Sequence, residues 1–88
     1  MNNAQFIEQF VIESGLSIGI YHAKIDRLSK RWLKAVLDGI ESESDTDVFI
    51  NRIPHVVEID VVDNEVDLRV ITKKEYIDRY GNERYEDD

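Results

Sequence analysis

Val57-Glu58-Ile59-Asp60-Val61-Val62-Asp63-Asn64-Glu65-Val66-Asp67-Leu68-Arg69-Val70 reads as two strands and the turn between them. Apolar and charged side chains alternate on both sides of Asp63-Asn64, the pattern of a β-hairpin with one apolar and one charged face. Asp and Asn both tolerate positive φ, so the pair can close a two-residue turn. That turn sets Val62 against Glu65, Val61 against Val66, Ile59 against Leu68 and Val57 against Val70. Three apolar pairs in succession support this register, because a slip of one residue would turn every one of them to the other face. On the charged face the same register places Asp60 opposite Asp67 and Glu58 opposite Arg69. Like charges directly opposite one another repel, and Arg69 offsets part of that repulsion.

Working outward, Val48–Ile53 reads as a third strand, and Pro54 as a strand start, bulge or bend. Upstream, Asn2 or Asn3 can cap a first helix whose apolar face holds Phe6, Ile7, Phe10 and Val11. Ser14-Gly15 ends it. Leu16–His22 fits either a short alternating strand or a helix. A second helix is expected from about Lys24 to Ile40, with an apolar stripe of Ile25, Leu28, Trp32, Val36 and Ile40. Downstream, Thr72-Lys73-Lys74-Glu75 has the form of a capping box and should start a short helix that Gly81 stops. The expected fold is α+β: two N-terminal helices packed on a small antiparallel sheet of three strands, about 48–53, 56–62 and 65–71, with a short C-terminal helix. Residues 1–82 form one domain, and 83–88 an acidic tail.

The chain has 88 residues and no cysteine, so neither disulfides nor thiolate–metal sites can staple it. The net charge of −8 is unevenly placed. Residues 1–40 carry four acids and five bases, whereas residues 41–88 carry fifteen acids and six bases. An acidic half this strong disfavours nucleic acid and anionic lipid as its ligands and favours a cationic partner. No apolar run approaches the roughly 20 residues of a membrane span, and no secretory signal opens the chain. Both observations lead to an expectation of a cytoplasmic protein.

Nothing in the sequence reads as a catalytic site, and no cofactor or metal is expected. His22 and His55 stand in different elements without ligand-like spacing around them. The glycines are scattered, with no phosphate-binding loop. Glu41-Ser42-Glu43-Ser44-Asp45-Thr46-Asp47 resembles a calcium loop only in its alternating acids. It lacks the glycine at the sixth position, and Arg52 or Pro54 falls where the bidentate Glu is required. The chain is therefore read as a binding protein and not an enzyme.

The charged hairpin face suggests what it binds. Residues i and i+2 of a strand are about 6.8 Å apart and point the same way, so two paired strands present two short rows of carboxylates. Duplex DNA carries a charge every ~1.7 Å of its axis, and a DNA-binding surface could accept such rows in place of phosphates. In size, acidity, absence of cysteine and carboxylate-faced hairpin, the chain resembles the small acidic DNA mimics of bacteriophages. The resemblance is one of layout, chiefly over residues 41–88, with no shared motif. It implies an inhibitor, acting in the cytoplasm of a bacterial host, that occupies the DNA site of a basic host protein. Members of this group are similar in role to inhibitors of the histone-like protein HU, or block uracil-DNA glycosylase, restriction enzymes or CRISPR effectors.

The expected contact residues are Glu58, Asp60, Asp63, Glu65 and Asp67, with Glu41, Glu43, Asp45 and Asp47 as a second patch. Neither nucleic acid nor membrane is an expected direct partner. A homodimer is expected, because Phe6, Phe10, Trp32, Leu33 and Leu37 exceed what one narrow helix stripe buries. Two alternatives stand beside the mimic. Arg27, Lys30, Arg31 and Lys34 recur at helical spacing and could make the protein a small regulatory nucleic-acid binder, or the chain could be a phage structural or assembly subunit.

Overall fold

A computed structural model describes residues 2–81. Helix α1, Asn3–Glu13, opens on a reciprocal cap: the Asn2 side chain accepts from the Gln5 amide and Gln5 Oε1 accepts from the Asn2 amide. Strand β1, Ser17–Ile18, follows. After it come a 3-10 turn over Ala23–Arg27, helix α2 over Lys30–Ser42, strands β2 (Thr46–Ile50), β3 (Ile53–Val62) and β4 (Glu65–Thr72), and helix α3 over Lys73–Tyr80. The strands form one sheet in the order β1-β4-β3-β2. β1 runs parallel to β4, and the other two pairings are antiparallel.

The β3–β4 hairpin has the register read from the sequence, from Val62 against Glu65 through Ile59 against Leu68 to Val57 against Val70. Asp63 and Asn64 take φ of 53° and 64°, the left-handed values that a two-residue hairpin turn requires. Val57, Ile59, Val66, Leu68 and Val70 join Ile7, Val11, Ile25, Leu33, Val36 and Ile40 in one core. Each such side chain contributes about 1.5–3 kcal/mol by leaving water. Helix α2 lies close to the sheet at Gly39, where an added Cβ would collide with Thr46 Oγ1 and Ile59 Cδ1.

Four features differ from the sequence expectation. First, the sheet has four strands. Leu16–His22 supplies β1, held by Ser17 N donating to Asn64 O and Gly19 N to Val66 O, both at 2.9 Å. Second, the basic segment is not one helix from Lys24. Leu28 and Ser29 are extended, with ψ of 139° and 164°. The break is stabilised from α1, where Asn3 Nδ2 donates to the carbonyls of Ile25 and Leu28 at 2.8 and 2.9 Å.

Third, the chain reverses at Asn51-Arg52, both in left-handed conformation (φ 52° and 66°), before Pro54. Pro54 sits inside β3, paired with Phe49, one residue before the first β4 partner, so only β2 flanks it. Fourth, helices cover both faces of the sheet. α3 starts at Thr72, whose Oγ1 accepts from Glu75 N at 3.1 Å, and lies on the face opposite α1 and α2. Val56 and Tyr76 are buried on that side. The tail expected at 83–88 lies outside the described residues. No described helix is long and apolar enough to cross a membrane.

Candidate functional site

The hairpin turn brings four of the expected contact residues to one end of the sheet. Asp60, Asp63 and Glu65 are exposed there, and Asp67 is half-buried. Asp60 and Asp67 are paired in register, yet their carboxylates turn away from each other. Asp60 Oδ2 lies 3.5 Å from the Arg69 guanidinium. Asp67 Oδ1 accepts from the Ile20 amide at 2.9 Å. Gly19 makes room for this arrangement, since a Cβ there would strike the carboxylate oxygens of Asp67 and Glu65. Asp67 is thus held by the β1 segment, Asp60 lies beside Arg69, the Glu65 carboxylate lies against Gly19, and Asp63 is exposed at the turn.

The structure takes Glu58 out of the solvent-facing row where the sequence placed it. It points to the outer face, as the alternation requires, but α3 roofs that face and leaves Glu58 8% exposed. The Tyr80 hydroxyl donates to Glu58 Oε2. Glu58 Oε1 lies 3.6 Å from the Arg79 guanidinium, near enough for charge attraction but too far for a hydrogen bond. Among the described residues Oε1 has no hydrogen-bond partner. The hydrogen bond to Glu58 raises the pKa of the Tyr80 hydroxyl above that of an ordinary phenol.

The second patch divides in the same way. Asp45 is a structural clamp: Oδ1 accepts from Ile59 N at 2.9 Å and Oδ2 from the Tyr76 hydroxyl at 2.8 Å. Glu41 lies in the last turns of α2 and not in a loop, and Glu43 caps that helix with φ 53°. Glu41, Glu43 and Asp47 are exposed. Of the side chains expected at a helical dimer interface, Leu33 is buried in the core. Phe10, Trp32 and Leu37 pack partly against it, and Phe6 is exposed.

Sequence reasoning missed a second surface, at the opposite end of β3. Arg27 and Arg31 meet Arg52, from the β2–β3 turn, around an open cavity of about 630 Å³ that Ser29, Trp32, Phe49 and Asn51 also line. The Arg31 guanidinium stacks 4.7 Å from the Trp32 ring, and Trp32 and Phe49 have centroids 5.6 Å apart. The available signal was Asn51-Arg52, a two-residue turn flanked by apolar residues, which would have carried Arg52 back towards the basic stripe. Lys30 and Lys34, from that stripe, do not line the cavity.

Both histidines have structural contacts. His22 Nδ1 accepts from Lys24 N at 3.1 Å to cap the 3-10 turn. His55 is buried, with Nδ1 2.8 Å from Ile53 O. Among the described residues no group of three or more acids and histidines is placed to hold a metal ion. Comparison with known proteins found no family model, no curated protein and no solved structure that matches the chain.

Proposed function

We propose that the protein binds the DNA-contacting surface of a basic bacterial protein through its hairpin tip and blocks that surface, as phage DNA mimics do. The observation that carries this reading is the gathering of Asp60, Asp63, Glu65 and Asp67 at one end of the sheet, with Arg69 the one base paired among them in the described residues. A carboxylate already held by the fold loses little freedom on binding, and preorganised charge of this kind favours association. Asp67, bonded to Ile20 N, is held in that way, and Asp60 lies beside Arg69 in an exposed ion pair. Glu41 and Glu43, at the end of α2, and Asp47, on β2, are exposed away from the tip, whereas Glu58 and Asp45 support the fold.

The target is identified by its chemistry: a sequence-independent DNA-binding protein, of which histone-like HU is the example, whose cationic surface contacts phosphates and not base edges. The test is competition. The protein should displace duplex DNA of any sequence from such a target, and displacement should weaken as salt rises, because exposed charge pairs are screened over about 8 Å at physiological ionic strength. The informative variant is Asp63→Asn with Glu65→Lys. Asn keeps the left-handed turn residue, and although Glu65 is paired with Ser17 in β1, its side chain makes no hydrogen bond to that segment as Asp67 does to Ile20 N. Displacement should weaken about tenfold or more, equivalent to roughly 1.4 kcal/mol. Displacement unchanged in this variant, or absent in the parent, contradicts the proposal.

A further inference from the structure

The cationic cavity at the far end of β3 is left unexplained by the acidic tip. The chain carries 19 acids and 11 bases, so carboxylates are plentiful. Even so, no carboxylate of the described residues pairs with Arg27, Arg31 or Arg52. Among the described residues the lining contains no acid. All three arginines are exposed and line one cavity, so an anion seated there would meet charge of a single sign. Arg52 also holds φ 66°, at a position of the turn where glycine is the favoured residue. Beside these charges Phe49 is 47% exposed against Trp32. The cavity therefore asks for an anionic ligand that carries a small apolar group.

The same chain presents such a ligand. At the tip, Val62 is 62% exposed and stands beside Asp63 and Glu65. A two-residue turn is a narrow end for a β-ribbon to offer. Tip and cavity lie at opposite ends of the ten residues of β3, about 30 Å apart at 3.4 Å per residue. A copy cannot reach its own cavity with its own tip, but it can reach a neighbour's.

We propose that the tip of one copy seats in the cavity of the next. Val62 packs against Trp32 and Phe49, and Asp63 and Glu65 pair with Arg27, Arg31 and Arg52. The contact is heterologous, head to tail, so it leaves a free tip and a free cavity at the two ends of an open chain of copies. It goes beyond the proposed inhibition and does not need it, since purified protein without any target is enough for it to form. If the tip also binds a host protein, the two uses exclude each other, and free host target dissociates the chains. The net charge of −8 on every copy opposes encounter, so association is expected at high protein concentration.

Sedimentation of mixed variants tests this directly. The parent should show a mass that climbs steadily with concentration and does not stop at a dimer. The cavity variant Arg31→Ala with Arg52→Ala, and the tip variant Asp63→Asn with Glu65→Lys, should each sediment as monomers near 10.3 kDa, with circular dichroism spectra like the parent's. Mixed together they retain one intact tip and one intact cavity, and should form a one-to-one complex that grows no further. A parent that stays monomeric at all concentrations overturns the proposal. So does a dimer that survives in both variants, which would point to a symmetric interface elsewhere. Binding of a single-stranded oligonucleotide that is lost in the cavity variant, with no self-association by the parent, would assign the cavity to nucleic acid and overturn it as well.

Discussion

Gly39, Tyr21 and Arg52 each carry a conclusion that one substitution can test. At Gly39 an added methyl meets Thr46 Oγ1 and Ile59 Cδ1 across a packed interface. Gly39→Ala should therefore destabilise by about 1–3 kcal/mol, the usual cost of overpacking, despite the better helix propensity of alanine. Chemical denaturation measures it, and an unchanged midpoint would mean that α2 does not lie this close to the sheet. Tyr21 donates to Asp26 Oδ1 at 2.7 Å, and burial, followed by that bond, raises its pKa well above the ordinary value of 10. A raised phenol pKa means that the folded state holds the proton more tightly. The associated stability is complete below pH 10 and is lost as pH rises above it. Tyr21→Phe should lower stability below pH 10 by removing the hydrogen bond to Asp26 and flatten the fall of stability above pH 10, as denaturation at a series of pH values would show. Arg52, held at positive φ, should give way to glycine with a gain of up to about 1 kcal/mol. A loss of stability in Arg52→Gly would show that its side chain contributes to folding and is not merely tolerated there.

At the scale of elements, the sheet depends on the clamp between β2, β3 and α3. Asp45 receives the Ile59 amide and the Tyr76 hydroxyl, and hydrogen bonds to a charged group contribute about 1.5–3 kcal/mol. Asp45→Ala should cost about that much and open the α3 amides to hydrogen exchange ahead of the core strands. Equal protection of α3 in parent and variant would remove Asp45 from this role. The hairpin was legible in the sequence because period-2 alternation and a two-residue turn leave one register that buries every apolar residue of the set. Which elements cover its two faces was not. Val56 and Ile71 pair in register on the same side as Glu58 and make one end of the charged face apolar, but only tertiary packing shows that Tyr76 and Tyr80 close over it. The break at Leu28-Ser29 was hidden for a related reason. It is stabilised by Asn3, 25 residues from Leu28, so no local pattern announces it. The candidate site was legible in the same proportion. Asp60, Asp63, Glu65 and Asp67 follow from the register, whereas the retreat of Glu58 and Asp45 into structural contacts depends on α3.

For the molecule as a whole, four carboxylates gather at the tip end of β3, and three guanidiniums that pair with no carboxylate of the described residues gather at the other. The hairpin can carry charge at its tip because its own stability comes from the opposite, apolar face. Reversal of tip charge should therefore change binding without changing the fold. The most direct measurement is displacement of duplex DNA from a histone-like, sequence-independent DNA-binding protein, followed at low and at physiological salt with the parent and with the Asp63→Asn, Glu65→Lys variant. The prediction is that the parent displaces DNA of unrelated sequences equally well, less so at the higher salt, and that the folded variant is weaker by about tenfold or more. Failure of the parent to displace DNA, or equal displacement by a fully folded variant, would contradict the assignment of the acidic tip as a stand-in for DNA.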